Sequence, residues 1–252
     1  MATHELVPSG NRLLKRYTSW ERDEHRREWA VLVLVHAHTA DLVPEPLGAC
    51  LDAVPPTLTM AVVPGEPMSG ALTDAQLTGL EKSLCKLWSV PVRTLPPRRF
   101  APAEALAVAR TRFATVGRFD GVVGAAVETV RAYLARLTPL ADHADPILGH
   151  SDPNLSNYLW DGSRVRIVDF EDAGRSDPAY EMATLMEHLG ARGTDWTEFA
   201  ARFGVDQERL LEGRRLAAAL WLHMLLPGGP SVHRNPPGTL ELQAERLLDL
   251  LT

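Results

Sequence analysis

Hydrophobic and polar positions change their period several times along the chain. Leu6 and Val7, then Leu13, Leu14 and Tyr17, flank the turn-forming run Pro8, Ser9, Gly10 and Asn11. This pattern predicts a hairpin over the first seventeen residues, with Lys15 inside its second strand. A helix is predicted from about Glu21 to His38, with Ser19 as its N-cap and Glu21, Asp23 and Glu24 suited to the dipole of the first turn. Its centre, Trp29 to Val35, is uniformly apolar rather than striped, which predicts burial on most sides. Pro44 and Pro46 stop it, and short strands are expected near Pro46 to Leu51 and Thr57 to Val63. Two prolines and a glycine between Val63 and Pro67 mark a boundary. Beyond it Thr73 and Gln76 form a capping box that opens a helix to about Ser89. Further helices are read from Pro102 to Val116, from Asp120 to Leu137, and from Pro178 onward with a break near Pro227 to Gly238. A β interlude spans Pro146 to Val168. The expected fold is α+β and two-lobed: a small β-rich lobe over residues 1–63, a large mainly helical lobe over 64–252, and a ligand cleft at the hinge between them.

Composition narrows the function. Lys+Arg number 26 against 32 Asp+Glu, a net charge of −6, which argues against nucleic acid as a partner. No unbroken apolar run exceeds seven residues, as in Trp29 to Val35, whereas a membrane span needs roughly 20. Met1 to Glu5 show no basic stretch leading into an apolar one, so no secretory signal is expected. Cys50 and Cys85 are too few for a disulfide framework or a four-thiolate zinc site. These features point to a cytoplasmic protein without a membrane partner. Charge is uneven: six arginines and one acid lie between Val92 and Arg118, ten acids and three arginines between Ala141 and Glu187. The arginine run reads as a solvated face.

The strongest chemical signal is His150-Ser151-Asp152-Pro153-Asn154-Leu155-Ser156-Asn157, between an apolar strand and Tyr158-Leu159-Trp160. Asp161-Gly162 then turns the chain into a return strand, Arg164 to Val168, that ends in Asp169, Phe170, Glu171 and Asp172. A hairpin brings its two outer ends together. The loop carrying Asp152 and Asn157 must therefore neighbour the loop carrying Asp169 and Glu171. Asp169 and Asn157 offer hard oxygen ligands for Mg²⁺, completed by phosphate oxygens and water. Asp152 stays free to orient a hydroxyl and accept its proton during phosphoryl transfer. Other chemistry is poorly supported. His36 and His38 face different sides of a helix, Ser151 lacks a G-x-S-x-G elbow, His150 reads as a brace for its loop, and Trp221 and His223 read as core.

The string HSDPNLSN resembles the H-[GS]-D-x-x-x-x-N catalytic loop of aminoglycoside phosphotransferases and choline-kinase-like enzymes. VDFE, Val168 to Glu171, resembles the metal-binding segment that follows it. GRSDPAYEMA, Gly174 to Ala183, is similar to the family's glycine–aspartate–proline stretch, with Glu181 where Asp is usual. Weaker similarity runs through PEPLG, Pro44 to Gly48, and MAVVPGEPMSG, Met60 to Gly70, which looks like the interlobe hinge. Leu87-Trp88 stands where the family usually shows Leu-His.

The resemblance implies a protein-kinase-like fold and transfer of the γ-phosphoryl group of ATP (or GTP) to a hydroxyl of an antibiotic or metabolite. Asp152 would be the catalytic base, and Asn157 and Asp169 the Mg²⁺ ligands. Lys15 would hold phosphates, paired with Glu28 or, one turn earlier, Glu24. The adenine would lie against the hinge near Ala61 to Val63, with Ala61 and Val63 contacting it. The family carries a further strand and a phosphate-covering turn before this lysine. The resemblance therefore implies a small lobe shortened at its N-terminus, and the alternative of a kinase-shaped binding module with little catalysis. Ten acids around the site favour a cationic acceptor.

Overall fold

The computed structural model describes residues 4–138, 140, 141 and 143–252. Met1, Ala2 and Thr3, part of the start read above as leaderless, lie outside them, as does Asp142 of the acidic block. The N-terminal hairpin consists of β1 (Glu5–Ser9) and β2 (Arg12–Arg16), joined by Gly10 and Asn11 with Gly10 at φ 60°. β1 is the outer strand of its sheet, and all five of its residues are exposed. The closing pair Ser9–Arg12 of a two-residue turn exchanges both backbone bonds. By alternation Leu6 and Pro8 direct their backbone groups away from β2. The missing N–H of Pro8 therefore removes no bond from the ladder.

With β3 (Pro46–Cys50) and β4 (Thr57–Ala61) the hairpin makes a four-stranded antiparallel sheet in the order β1-β2-β4-β3. Helix α1 (Glu24–His38) packs on it, burying Val31, Leu32 and Val35 with Tyr17, Leu58 and Met60. Two expectations fail here. The apolar run of α1 is not buried on most sides: Val33 is 40% exposed, because only one face of the helix meets the sheet. Nor does Ser19 cap the helix, which starts three residues later than expected. Trp20 to Asp23 close a turn first (Asp23 N–H to Trp20 O, 3.1 Å), and Asp23 enters at φ 58° without a side-chain cap. The Glu24 carboxylate accepts the Arg22 N–H instead, at 2.9 Å.

The rest of the chain is mainly helical. Helix α2 (Asp74–Trp88) opens with the expected Thr73–Gln76 capping box. Helices α3 (Pro102–Thr115) and α4 (Gly121–Arg136) follow. Short strands β5 (Glu66–Pro67), β7 (Tyr158–Trp160) and β8 (Val165–Ile167) form one small sheet, and β6 (Ile147–Gly149) with β9 (Gly174–Ser176) another. Helices α5 (Pro178–Glu187), α6 (Thr197–Ala201), α7 (Gln207–Leu225) and α8 (Thr239–Leu251) complete the lobe. One apolar core runs from the small-lobe sheet through α2 and the short strands to α5. A second joins α3, α4, α7 and α8. Among the described residues no helix is long and apolar enough to cross a membrane.

Candidate active site

The site is built at the open end of the β7–β8 hairpin. Its register pairs Tyr158 with Ile167, and the Val168 N–H continues the ladder to Asn157 O at 3.0 Å. The loop before the hairpin and the loop after it are thus neighbours, as the spacing required. Buried His150 ties them: its ring nitrogens lie 2.8 Å from Asp152 O and 2.7 Å from Val168 O, which bears out its reading as a brace. Asp152 accepts the Asn157 side-chain amide at 2.9 Å and the Asn154 N–H at 3.3 Å. Among the described residues it has no cationic partner. Ser151 and Asp169, one in each loop, hold φ of 74° and 70°. Such left-handed backbone in residues with a Cβ persists where the surroundings enforce it.

Lys15 reaches this point from β2. Its ammonium donates to Glu28 (2.6 Å), Asp169 (2.6 Å) and Glu171 (3.2 Å), so all three N–H groups are engaged. Glu28, not Glu24, is the helix partner; the Tyr17 hydroxyl also donates to it. Lys15 is 5% exposed and Glu28 2%. Burial opposes the charge on Lys15, but Glu28, Asp169 and Glu171 together raise its pKa above the ordinary lysine value. Glu171 has a further partner that sequence reasoning missed: His4, buried against the Tyr17 ring, places Nε2 2.8 Å from its carboxylate. Burial would raise the Glu171 pKa, yet His4 and Lys15 bring it down to about 2.

A second buried group supports the loop from behind. The Glu181 carboxylate, on α5, accepts the Ser176 hydroxyl at 2.6 Å and the N–H groups of His150 and Ser151 at 3.0 and 3.4 Å. Gly149 makes room for it: a Cβ there would lie 2.3 Å from Glu181 Oε1. The cation facing Glu181 is Arg98, 3% exposed, which corrects its reading as part of a solvated face. Most of the acidic block is likewise paired within the protein. Asp161 meets Arg164 and Arg166, Asp172 meets Arg22 and Arg99, Asp177 meets Arg209, and fully buried Glu187 meets Arg214 and Arg246. The count of acids therefore overstates the negative charge offered to an acceptor. Trp221 and His223 are half-buried rather than core; Trp221 stands edge-on to His188 at 5.0 Å.

At the hinge the Ala61 N–H bonds Glu45 O at 2.9 Å and the Val62 N–H bonds Asn11 O at 2.8 Å. Among the described residues the Val63 N–H has no such partner. Arg166 links the hinge to β8 by donating to Pro64 O (3.1 Å) and to Asp161 (2.6 Å). For a divalent cation the donor set is suitable. Carboxylate oxygens of Glu28, Asp169 and Glu171 lie within 4.8 Å of one another, around the Lys15 ammonium that they already hold. Among the described residues, no donor uses the second oxygen of Asp169 or the amide oxygen of Asn157. Hard oxygen donors of this kind suit Mg²⁺.

The fold has counterparts among solved structures. A choline/ethanolamine kinase family protein from Mesorhizobium loti superposes with a TM-score of 0.66 at 19% identity, over 100% of this chain and 86% of the other. An aminoglycoside 2′-phosphotransferase-IIIa, in its GDP complex, gives 0.66 at 14% identity over 99% and 89%. The choline kinase LicA from Streptococcus pneumoniae gives 0.61 at 15% identity over 99% and 89%. At these identities the likeness is one of fold, and it is the two-lobed protein-kinase-like fold. No curated protein matches the chain. The sequence profile described as the phosphotransferase enzyme family matches residues 7–220, most of the chain, and the protein belongs to that family.

Proposed function

We propose that the protein is a small-molecule kinase that moves the γ-phosphoryl group of ATP or GTP to a hydroxyl of a metabolite or antibiotic. The observation that carries this reading is the contrast between two carboxylates on adjoining loops. Asp169 is tied to a buried lysine, while Asp152 is oriented only by neutral donors. In this reading the small lobe, residues 1–63, holds the nucleotide, with the Ala61–Val63 backbone facing the purine. The helical lobe, residues 64–252, holds the acceptor. Lys15 turns its donors from Asp169 and Glu171 to the phosphates while keeping Glu28. Mg²⁺ held by Asp169 and the Asn157 amide oxygen would neutralise phosphate charge when bound. Asp152, held by the Asn157 amide, orients the acceptor hydroxyl and takes its proton as the oxygen bonds to phosphorus.

The test is an acceptor screen read by ADP or GDP release, with Asp152→Asn as the blank. Loss of this base is expected to lower acceptor-dependent release by roughly 10²–10⁴. Equal release from parent and variant refutes the assignment. Calorimetry with and without Mg²⁺ separates the alternative: nucleotide binding without turnover of any acceptor indicates a kinase-shaped binding module.

A further inference from the structure

We propose that Arg98 is a positioning residue for the catalytic loop, holding Asp152 in place through the left-handed Ser151. The inference rests on the reading of Asp152 as the base.

The segment around Arg98 is fixed from several sides. Its backbone lies along β9: Arg98 N–H to Arg175 O and Arg175 N–H to Pro96 O are both 2.9 Å, and Arg99 N–H to Asp172 O is 3.0 Å. From α1, Arg27 donates to both Pro97 O and Ala173 O at 2.9 Å. A Cβ on Gly174 would lie 2.6 Å from Pro96 O, so the approach is close. Carried inward by this strap, the Arg98 guanidinium sits over the Tyr180 ring at 5.0 Å. It donates to Arg99 O at 3.1 Å, to Ser151 O at 3.0 Å and to Glu181.

Ser151 is consequently held at both ends. Its N–H goes to Glu181 and its C=O to Arg98, while its own hydroxyl is buried with no partner among the described residues. Left-handed backbone is disfavoured for a residue with a Cβ, and nothing in the Ser151 side chain offsets that. Without Arg98, the Ser151 C=O loses its bond, and the left-handed Ser151 keeps only one of its two backbone ties. Glu181 loses its cation, which costs stability, but keeps three neutral donors from His150, Ser151 and Ser176. Among the described residues Arg98 has no hydrogen bond or ion pair to Lys15, Glu28 or Ala61–Val63.

The experiment compares the parent with Arg98→Gln, Arg98→Lys and the double variant Arg98→Gln/Ser151→Gly. Turnover, nucleotide affinity by calorimetry and amide exchange over residues 147–160 are measured for each. Displacement of a catalytic group by about 1 Å costs on the order of 10²-fold. Arg98→Gln is therefore expected to lower kcat about that much, with nucleotide affinity unchanged and faster exchange in the loop. The double variant should recover both readouts, because glycine adopts this backbone without penalty. Arg98→Lys keeps the charge but cannot span both acceptors, and covers the case in which the glutamine variant fails to fold; it should show a lowered kcat and faster loop exchange. Normal kcat and exchange in the single variants, or no recovery in the double one, overturns the proposal. If the parent turns over no acceptor, the kinase reading fails by itself. Loop exchange then decides this inference on the same criteria.

Discussion

Replacing Lys15 by methionine keeps the stem and removes the charge that three carboxylates share. Asp169 and Glu171 retain access to water or to His4, so the loss falls on Glu28, the most buried of the three. Removing one partner of a buried ion pair costs about 3–5 kcal/mol. Burial raises the Glu28 carboxyl even with Lys15 beside it, and Lys15 limits that rise, so removing Lys15 raises it further. Without Lys15 the folded variant holds a proton on Glu28 at pH values where the unfolded chain, titrating near its ordinary ~4.3, has released it. The folded state then binds more protons than the unfolded one, so the variant's stability falls as pH rises, by about 1.4 kcal/mol per unit. The gap between parent and Lys15→Met is therefore expected to be widest near about pH 8 and to narrow toward about pH 5. Urea unfolding followed by tryptophan fluorescence across that range measures it. Lys15→Met/Glu28→Gln should recover most of the loss. A gap that is absent, or that does not change with pH, refutes the reasoning.

Three further outcomes are expected. Gly149→Ala would place a Cβ 2.3 Å from Glu181 Oε1 and 2.5 Å from Ser176 Cβ, so thermal unfolding should show a loss of about 1–3 kcal/mol, and nucleotide turnover should fall with it. Glu171 has a folded pKa lowered to about 2, so the stability it supplies is present above the ordinary carboxylate value of ~4.3 and is lost as pH falls toward 2; Glu171→Gln should flatten the acid side of the stability profile, and an unchanged acid side counts against the His4–Glu171–Lys15 arrangement. Thr73→Ala breaks the capping box of α2, whose bonds join Thr73 only to Gln76, and should cost about 1 kcal/mol in urea unfolding with turnover unaffected.

Local patterns proved readable where the chain itself supplies the geometry. The β7–β8 hairpin brings its flanking loops together whatever else surrounds it, so Asp152, Asn157 and Asp169 could be grouped from spacing. Lys15 could be paired with Glu28, with Glu24 as the alternative, through the family resemblance, on a strand that runs almost directly into a helix. Arg98 could not be found this way: its partners come from α5 and the catalytic loop, and an arginine-rich run looks the same whether solvated or folded inward. His4 left no signal, since a single polar residue before the first strand has no period to read. Ser19 looked like a cap because the residue type is right. The Trp20–Asp23 turn, which moves the helix start, is closed by bonds within the segment itself, and the residue type of Ser19 carries no sign of them. The uniform apolar run of α1 hid which face meets the sheet, and the acidic block hid how many of its members are paired by distant arginines.

The open margin of the small-lobe sheet has a consequence for behaviour in solution. An unpaired strand normally recruits strands from other molecules, and Leu6 and Val7 are exposed on this one. Within β1 only Leu6 offers an outward amide, because the next outward position is Pro8. An incoming chain would meet one donor and then a pyrrolidine ring. Pairing along β1 therefore lacks its second donor and keeps only the carbonyl acceptors, which makes this edge a weaker template for strands of other molecules.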